Sequence, residues 1–190
     1  MDWGNYIVLG VLAALVLYSV ILYNQLVTLK HNVDKAWSNI DVLLKQRHDE
    51  LPKLVETCKQ YMNYEQATLE RVMRARAEVS AARERGDVGA LGPAETELRL
   101  GLGNLFAVAE DYPDLKADAS FKHLQGRISG LEDAIADRRE FYNESVNLNN
   151  IRIEQFPDVL IARVFRFEAK PLLEFSEEEV RDVDMTALFD

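Results

Sequence analysis

An uncharged apolar run near the start of the chain limits the possible folds more than any other feature. From Tyr6 to Tyr23 the sequence reads YIVLGVLAALVLYSVILY, which is eighteen residues. As a helix this run would be about 27 Å long, close to the hydrocarbon thickness of a bilayer. Trp3 and Tyr6 stand at one end and Tyr23 at the other, where interfacial aromatic residues are common. Residues 1–23 are therefore predicted to hold a single transmembrane helix, integral to a lipid bilayer.

A cleaved signal peptide is the alternative interpretation of this run. It would need a basic segment before the apolar core, but the chain begins Met-Asp-Trp-Gly-Asn, and no small-x-small cleavage site follows the run. A retained anchor is therefore favoured. Lys30 and Lys35 follow the run and no basic residue precedes it. The positive-inside rule then predicts the N-terminus outside and the remaining chain in the cytoplasm.

After the anchor, apolar residues recur every three or four positions from Asn24 to Val79. That spacing is typical of one stripe on a helix, here interrupted at Arg47, Glu65 and Thr68. We expect the first clear break only at the glycine-rich turn of residues 85–93.

Two prolines affect where these helices begin. Pro52 leaves two structures open, because the helix either kinks and continues there or ends so that a new helix opens near Pro52. The unbroken apolar phase favours continuation. Pro93 is placed to open the second helix of the soluble part.

The later segments complete an all-α prediction. A second helix is expected to end near Asp111, with Gly101 and Gly103 marking close helix packing, and a third to run from about Asp118 to Phe156. The predicted fold is an N-terminal transmembrane helix that leads into an elongated antiparallel helical bundle of three to four long helices. Residues 24–175 would form this bundle, and residues 176–190 an acidic, flexible tail.

Two features of the C-terminal half leave alternatives open. Residues 159–167, VLIARVFRF, are expected to form a capping helix or strand, with an interfacial membrane contact as the functional alternative. Asn143, Asn147 and Asn150 step by three and four, which places them on one line of the third helix. They would either fix the register inside a bundle or form an exposed face.

Composition excludes several classes of function. The net charge of −10 argues against nucleic acid, which needs a basic surface, and against broad adhesion to anionic lipid. Cys58 is the single cysteine, so no disulfide is possible within the chain, and its place on the apolar stripe predicts a buried thiol. His31, His48 and His123 are scattered, and none has a partner at metal-ligand spacing. We therefore predict no catalytic residue, no cofactor and no metal site.

Several blocks of the sequence resemble the LemA family. They are YNQLV at residues 23–27, DKAWSNIDVLLKQR at 34–47, LPKLVET at 51–57, EDYPDLKA at 110–117, RREFYN at 138–143, and Phe156-Pro157. The resemblance extends from the anchor to about Phe175. It implies a bacterial single-pass protein of the inner (cytoplasmic) membrane with an all-α soluble domain, and it implies no reaction. Family members often occur beside membrane-bound zinc metalloproteases, so such a protease or another envelope protein is an implied partner.

Two function hypotheses follow. The favoured one is a non-enzymatic scaffold of the cell envelope that forms homo-oligomers, and the alternative is a regulatory or adaptor subunit of a membrane-bound zinc metalloprotease. The predicted first helix is longer than the later helices are expected to cover, so the part of its stripe nearest the membrane is expected to find no partner within the chain. Exposed apolar surface usually marks an interface, so the sequence predicts an interaction surface at Leu26, Leu29, Val33 and Trp37.

Overall fold

The computed structural model describes residues 3–174, and every regular element in that part of the chain is a helix. The helices are α1 (Trp3–Lys59), α2 (Gln66–Arg85), α3 (Val88–Ala109), α4 (Pro113–Ala117), α5 (Ala119–Glu154) and α6 (Asp158–Val164). The all-α prediction is confirmed. The predicted tail at residues 176–190 lies outside the described residues.

The described residues separate into two compact units. Unit 1 holds residues 3–38 and 140–171, and unit 2 holds residues 39–139 and 172–174. Helices α1 and α5 are each divided between the two units. The predicted bounds of anchor, bundle and tail, at 1–23, 24–175 and 176–190, stay predictions.

In unit 1, α1 and α5 run antiparallel. The rings of Trp37 and Tyr142 lie 5.7 Å apart, and Arg152 donates to Gln25 at 2.5 Å, so residue numbers fall along α5 as they rise along α1. Apolar residues at helical spacing on both helices form the core, which these contacts flank. Its buried members include Leu22, Leu26, Val33, Tyr142, Val146, Ile153 and Ala162.

Unit 2 is built from the second part of α1, from α2, α3 and α4, and from the first part of α5. Arg83 donates to Asp41 at 2.6 Å and Arg76 to the His48 carbonyl at 2.9 Å, so α2 is antiparallel to α1. Arg127 donates to Glu50 at 3.0 Å and Arg47 to Glu132 at 2.5 Å, so α5 is antiparallel to α1 as well. Leucine, isoleucine and valine dominate its core, as periodicity predicts. The fully buried large side chains include Ile40, Leu44, Leu51, Leu54, Leu91, Leu98, Leu105, Leu115, Phe121 and Ile128.

The expectation that the first clear break in the helix comes only at residues 85–93 is wrong. Helix α1 ends at Lys59, and the chain reverses over residues 60–65 before α2 begins. This turn contains no glycine or proline, the residues that usually mark a reversal. It is closed instead by hydrogen bonds from the backbone N–H groups of Tyr61 and Met62 to the carbonyl of Cys58, at 3.0 and 2.9 Å. Met62 is buried, so an apolar residue in the turn keeps the apolar pattern almost in phase.

The two prolines behave differently from one another. Helix α1 continues through Pro52, as the unbroken phase predicts, so the alternative of a new helix opening there is wrong. The prediction that Pro93 opens a helix is also wrong, because α3 begins at Val88 and contains Pro93. The start of α3 is set by Asp87, whose carboxylate accepts a hydrogen bond from the backbone N–H of Ala90 at 3.0 Å.

The glycines of α3 have separate roles. A Cβ at Gly101 would stand 3.5 Å from the Val72 side chain of α2, whereas a Cβ at Gly103 would meet nothing within 4 Å. The predicted helix packing therefore holds at Gly101 but not at Gly103. The tightest site is Gly92, where a Cβ would fall 1.8 Å from the carbonyl oxygen of Glu174. The segment that ends at Glu174 lies directly on the α3 backbone there, and its Leu173 is buried.

A buried ion pair joins three helices of unit 2. The Arg47 side chain of α1 is 1% exposed. It donates to both carboxylate oxygens of Glu95 on α3, at 2.5 and 2.6 Å, and to Glu132 on α5 at 2.5 Å. Burial by itself would lower the pKa of the guanidinium, but the attraction of the two carboxylates outweighs it and raises that pKa. The interruption of the apolar stripe at Arg47 thus marks the one cation that unit 2 encloses among the described residues.

Gly92→Ala is expected to destabilise the protein by about 1–3 kcal/mol, because the added methyl group overlaps the Glu174 carbonyl and displaces residues 172–174. Gly103→Ala on the same helix is the matched control. It meets no atom within 4 Å and should stabilise the helix by about 1 kcal/mol through helix propensity alone. Thermal unfolding of the detergent-solubilised chain measures both. Equal stabilisation by the two variants would contradict the close contact at Gly92.

Arg47→Met is expected to cost about 3–5 kcal/mol of unfolding free energy, because it leaves Glu95 and Glu132 without their buried cation. The double variant Arg47→Met/Glu95→Leu should recover part of that loss. Arg127→Met is the control, since Arg127 and its ion pair with Glu50 lie at the surface, where such pairs contribute about 0–1 kcal/mol. Denaturant unfolding that gives the same small loss for Arg47→Met and Arg127→Met would contradict a structural role for the buried pair.

Candidate functional site

The first turns of α1 form an apolar surface that the protein itself does not cover. Only 6% of the most apolar 18-residue stretch of α1 is buried within the protein, and by length and composition the helix can cross a membrane. The exposed side chains are large and apolar throughout. They include Ile7, Val8, Leu9, Val11, Leu12, Leu15, Val16, Leu17, Val20 and Ile21. A surface of this kind is suited to hydrocarbon rather than water, which agrees with the predicted anchor.

The segment predicted as a capping helix or strand is a helix, α6, and it packs at the end of the apolar run. The ring of Phe165 lies 4.7 Å from that of Tyr23, and the ring of Phe167 lies 5.9 Å from it. Ala162 joins Leu26 in one buried cluster. Residues 159–167 therefore contact α1 where the apolar run gives way to the amphipathic stripe.

Polar contacts hold α6 in this position. Asp158, at the start of α6, is 3% exposed and accepts a hydrogen bond from Arg152 at 2.7 Å. Arg152 also donates to Gln25 of α1. After α6, the Asn150 side chain both donates to the Lys170 carbonyl and accepts from the Lys170 backbone N–H, each at 2.9 Å. These bonds fix both ends of the segment against α1 and α5.

The predicted interaction surface is largely covered within the chain. Leu26 and Val33 are buried, and Leu29 and Trp37 are half-buried. The expectation that this part of the stripe finds no partner in its own chain is therefore wrong for Leu26 and Val33. The reason is that α5 returns antiparallel as far as the level of Gln25, and α6 then covers the remaining end of the stripe.

The exposed apolar surface of unit 1 lies on α5 and α6 instead. On α5, Phe141, Leu148 and Ile151 are more than half exposed, and their spacing of seven and three places them on one face of the helix. On α6 and the residues beside it, Phe156, Leu160, Val164 and Phe165 are exposed. Periodicity does not separate these residues from the buried ones, because α5 carries apolar residues on more than one face.

The asparagine line does not form an interior register. Asn147 is exposed, and Asn143 and Asn150 are half-buried. The buried asparagine is Asn149, 2% exposed, which was not part of the predicted line and donates to Asn150 at 3.2 Å.

Cys58 lies in the apolar core at 0% exposure, as predicted. Burial raises the pKa of its thiol to about 11, so the thiol stays protonated at neutral pH and cannot act as a thiolate nucleophile. It behaves as a small apolar side chain.

His48 is held by Arg76. Arg76 donates to the His48 carbonyl at 2.9 Å and lies 2.6 Å from its ring Nε2. Because an arginine can only donate, Nε2 is the acceptor in a neutral ring. Burial and the Arg76 charge lower the pKa of His48.

Among residues 3–174, no group of three or more His, Cys, Asp or Glu side chains is placed to hold a metal ion.

A cleft of about 480 Å³ borders the turn between α1 and α2. Apolar side chains of Val55, Met62 and Leu69 contribute to its lining together with the polar groups of Lys59 and Glu70.

Comparison with known proteins identifies the family. The model of the LemA family matches residues 36–186. Two magnetosome proteins of Paramagnetospirillum magneticum, MamQ 1 and MamQ 2, are each 27% identical over 186 residues, which covers 85% of this chain and 68% of each relative. Protein LemA of Metamycoplasma hominis is 28% identical over 167 residues, with 87% of this chain and 74% of that protein covered. The family model spans well over half of the residues of this chain, so the chain belongs to the LemA family.

Proposed function

We propose that this chain is a membrane-anchored, non-enzymatic helical scaffold of the bacterial cell envelope that associates with copies of itself. One observation carries the proposal: unit 1 combines an uncovered apolar span with a second line of exposed apolar side chains on α5. Membership of the LemA family supports a membrane-associated helical protein. A soluble monomer rarely exposes such surfaces unless they contact lipid or another protein.

The buried polar groups support a structural rather than a catalytic role. Arg47 is engaged by Glu95 and Glu132, and Asp158 is engaged by Arg152. Active sites usually leave a perturbed acid, base or nucleophile open to a substrate. Here these buried charges are used to hold helices together within each unit.

The line of Phe141, Leu148 and Ile151 on α5 supports association with a second copy. Its spacing of seven and three matches one seam of a two-helix contact. Copies anchored in one bilayer with the same orientation are related by an axis along the membrane normal, which brings the same face of each together. Confinement to a plane also raises the effective concentration of the partner. This surface replaces the predicted one at Leu26, Leu29, Val33 and Trp37.

The proposed orientation follows from Lys30 and Lys35. They are the first basic residues after the span, so we propose that the N-terminus is outside and the chain after the span is in the cytoplasm, at the inner membrane.

Phe141→Asp/Leu148→Asp is expected to convert the detergent-solubilised oligomer to monomers, because two charges enter the apolar line. Both side chains are more than half exposed, so helix content should be unchanged. Light scattering in a mild detergent gives the mass, and circular dichroism gives the helix content. Val42→Asp/Leu100→Asp, at two exposed apolar positions of unit 2, is the matched control and should leave the oligomer intact.

A wild-type protein that is monomeric in this measurement would overturn the self-association. A stoichiometric metalloprotease that co-purifies with the wild type and is lost from Phe141→Asp/Leu148→Asp would favour the adaptor function instead, with the α5 line as its docking surface.

A further inference from the structure

We propose that residues 156–167, which comprise α6 and its two flanks, form a second membrane contact that binds anionic phospholipid through Arg163 and Arg166. In this arrangement the segment lies in the headgroup region of the same bilayer that the span crosses. The inference rests on the membrane anchoring proposed above and assigns a ligand to unit 1.

The position of Phe165 sets the depth of this segment. Its ring contacts Tyr23 and lines one shallow groove together with residues of the apolar run, including Leu12, Val16 and Val20. Since a helix rises 1.5 Å per residue, Val16 lies about 10 Å from Tyr23 along α1. Phe165 is therefore level with the last turns of the span. If the span crosses a bilayer, this ring enters the same layer.

The surface of the segment has the composition of an interfacial helix. Phe156, Leu160, Val164 and Phe165 are 80, 55, 73 and 56% exposed. Leu160 and Val164 are four residues apart and so share one face of α6. Arg163 and Arg166 are exposed beside them. Large apolar residues that enter the acyl boundary, combined with basic residues at the phosphate level, are typical of helices that lie in a membrane surface.

Backbone strain at Arg166 is a second, independent observation. Arg166 has φ of 56°, the only positive φ at a non-glycine residue among the described residues. It ends α6 with a hydrogen bond from Phe167 N–H back to the Ala162 carbonyl, 2.9 Å. In such a helix end this position is usually glycine, because a Cβ is unfavourable there.

The same chain shows the usual solution at the end of α2. Gly86 has φ of 64°, and the backbone N–H of the following residue, Asp87, donates to the Ala82 carbonyl at 3.0 Å. The two helix ends share one geometry but differ in residue type. An arginine at this unfavourable position, next to the apolar run, supports a role for its side chain there.

The local charge selects the headgroup. The chain as a whole is strongly acidic, which opposes broad adhesion to anionic lipid. Residues 159–167, however, carry no acidic side chain and two guanidinium groups, while Asp158 is buried against Arg152. The exposed Glu154 and Glu168 flank the segment. Their negative charges repel an anionic headgroup on either side, so the attractive site is limited to Arg163 and Arg166. A guanidinium pairs well with a phosphate, so the ligand is the phosphate group of a lipid with net negative charge.

Lipid is the occupant that the depth argument favours over a second protein copy. Residues level with the span lie beside the bilayer that their own anchor crosses, so lipid is available to them in every copy. The test uses the full chain in vesicles, labelled at Val164→Cys with a polarity-sensitive fluorophore. Cys58 is buried and stays unlabelled. Leu100→Cys in unit 2 is the matched control.

In vesicles of phosphatidylcholine and phosphatidylglycerol, the label at residue 164 should emit at shorter wavelength than the label at residue 100. It should also be quenched by nitroxide lipid, roughly at the 5–10 Å depth of interfacial helices. Arg163→Gln/Arg166→Gln, or vesicles of phosphatidylcholine alone, should shift the emission at residue 164 towards that of residue 100. Free inorganic phosphate should produce no such shift.

Three results would overturn the inference. They are aqueous quenching at residue 164 equal to that at residue 100, protection from aqueous quencher without quenching by nitroxide lipid, which indicates a protein occupant, and a signal that ignores phosphatidylglycerol and both arginines. Flotation of the labelled chain with the vesicles is measured in the same samples. Failure to float would remove the anchor itself, which is a different outcome from an anchored chain whose residue 164 stays in water.

Discussion

The backbone of an apolar segment in lipid has to satisfy its own hydrogen bonds, and the rest of unit 1 depends on that constraint. Hydrocarbon offers no donor or acceptor, so the segment has to be a helix, and breaking it inside the membrane would cost several kcal/mol per unsatisfied group. Helix α1 is continuous from Trp3 to Lys59. The same helix therefore supplies the candidate span and the start of the stripe at Asn24, and the elements of unit 1 that pack on this start are held at a defined distance from the apolar run.

Unit 1 uses this arrangement to place α6. Helix α5 returns antiparallel to α1, and Arg152 contacts both Gln25 and Asp158. Tyr23, Phe165 and Phe167 then pack their rings together. The buried cluster of Leu26, Ile153 and Ala162 lies beside the exposed apolar side chains of α6, so the chain covers one face of this end and leaves the other uncovered. Unit 2 has a different centre, because the Arg47 ion pair with Glu95 and Glu132 joins α1, α3 and α5 in its core.

Sequence periodicity predicted the helices well and their partners poorly. It predicted the candidate span, the all-α class, the continuation of α1 through Pro52 and the buried thiol of Cys58, because each follows from the local sequence pattern. It missed the reversal after Lys59, since Met62 is buried in the turn and keeps the apolar phase. Arg47 and Glu65 stood out as interruptions, but their roles depend on residues distant in sequence. Arg47 lies 48 residues from Glu95, and the Tyr112 hydroxyl donates to Glu65 across 47 residues. The cover over Leu26 and Val33, and the left-handed backbone at Arg166, likewise come from tertiary contacts.

The central proposal is that the apolar run crosses a bilayer, with Trp3 on one side and the chain that follows the run on the other. Trp3 and Tyr64 are 87 and 92% exposed, so Trp3→Cys and Tyr64→Cys place one accessible thiol at the start of α1 and one in unit 2. A membrane-impermeant maleimide applied to intact spheroplasts should label Trp3→Cys at once, and should label Tyr64→Cys only after the membrane is permeabilised. Unmodified chain should stay unlabelled, because Cys58 is buried. Labelling of both thiols from the outside, or of neither until permeabilisation, would show that the run does not cross the bilayer and would contradict the account.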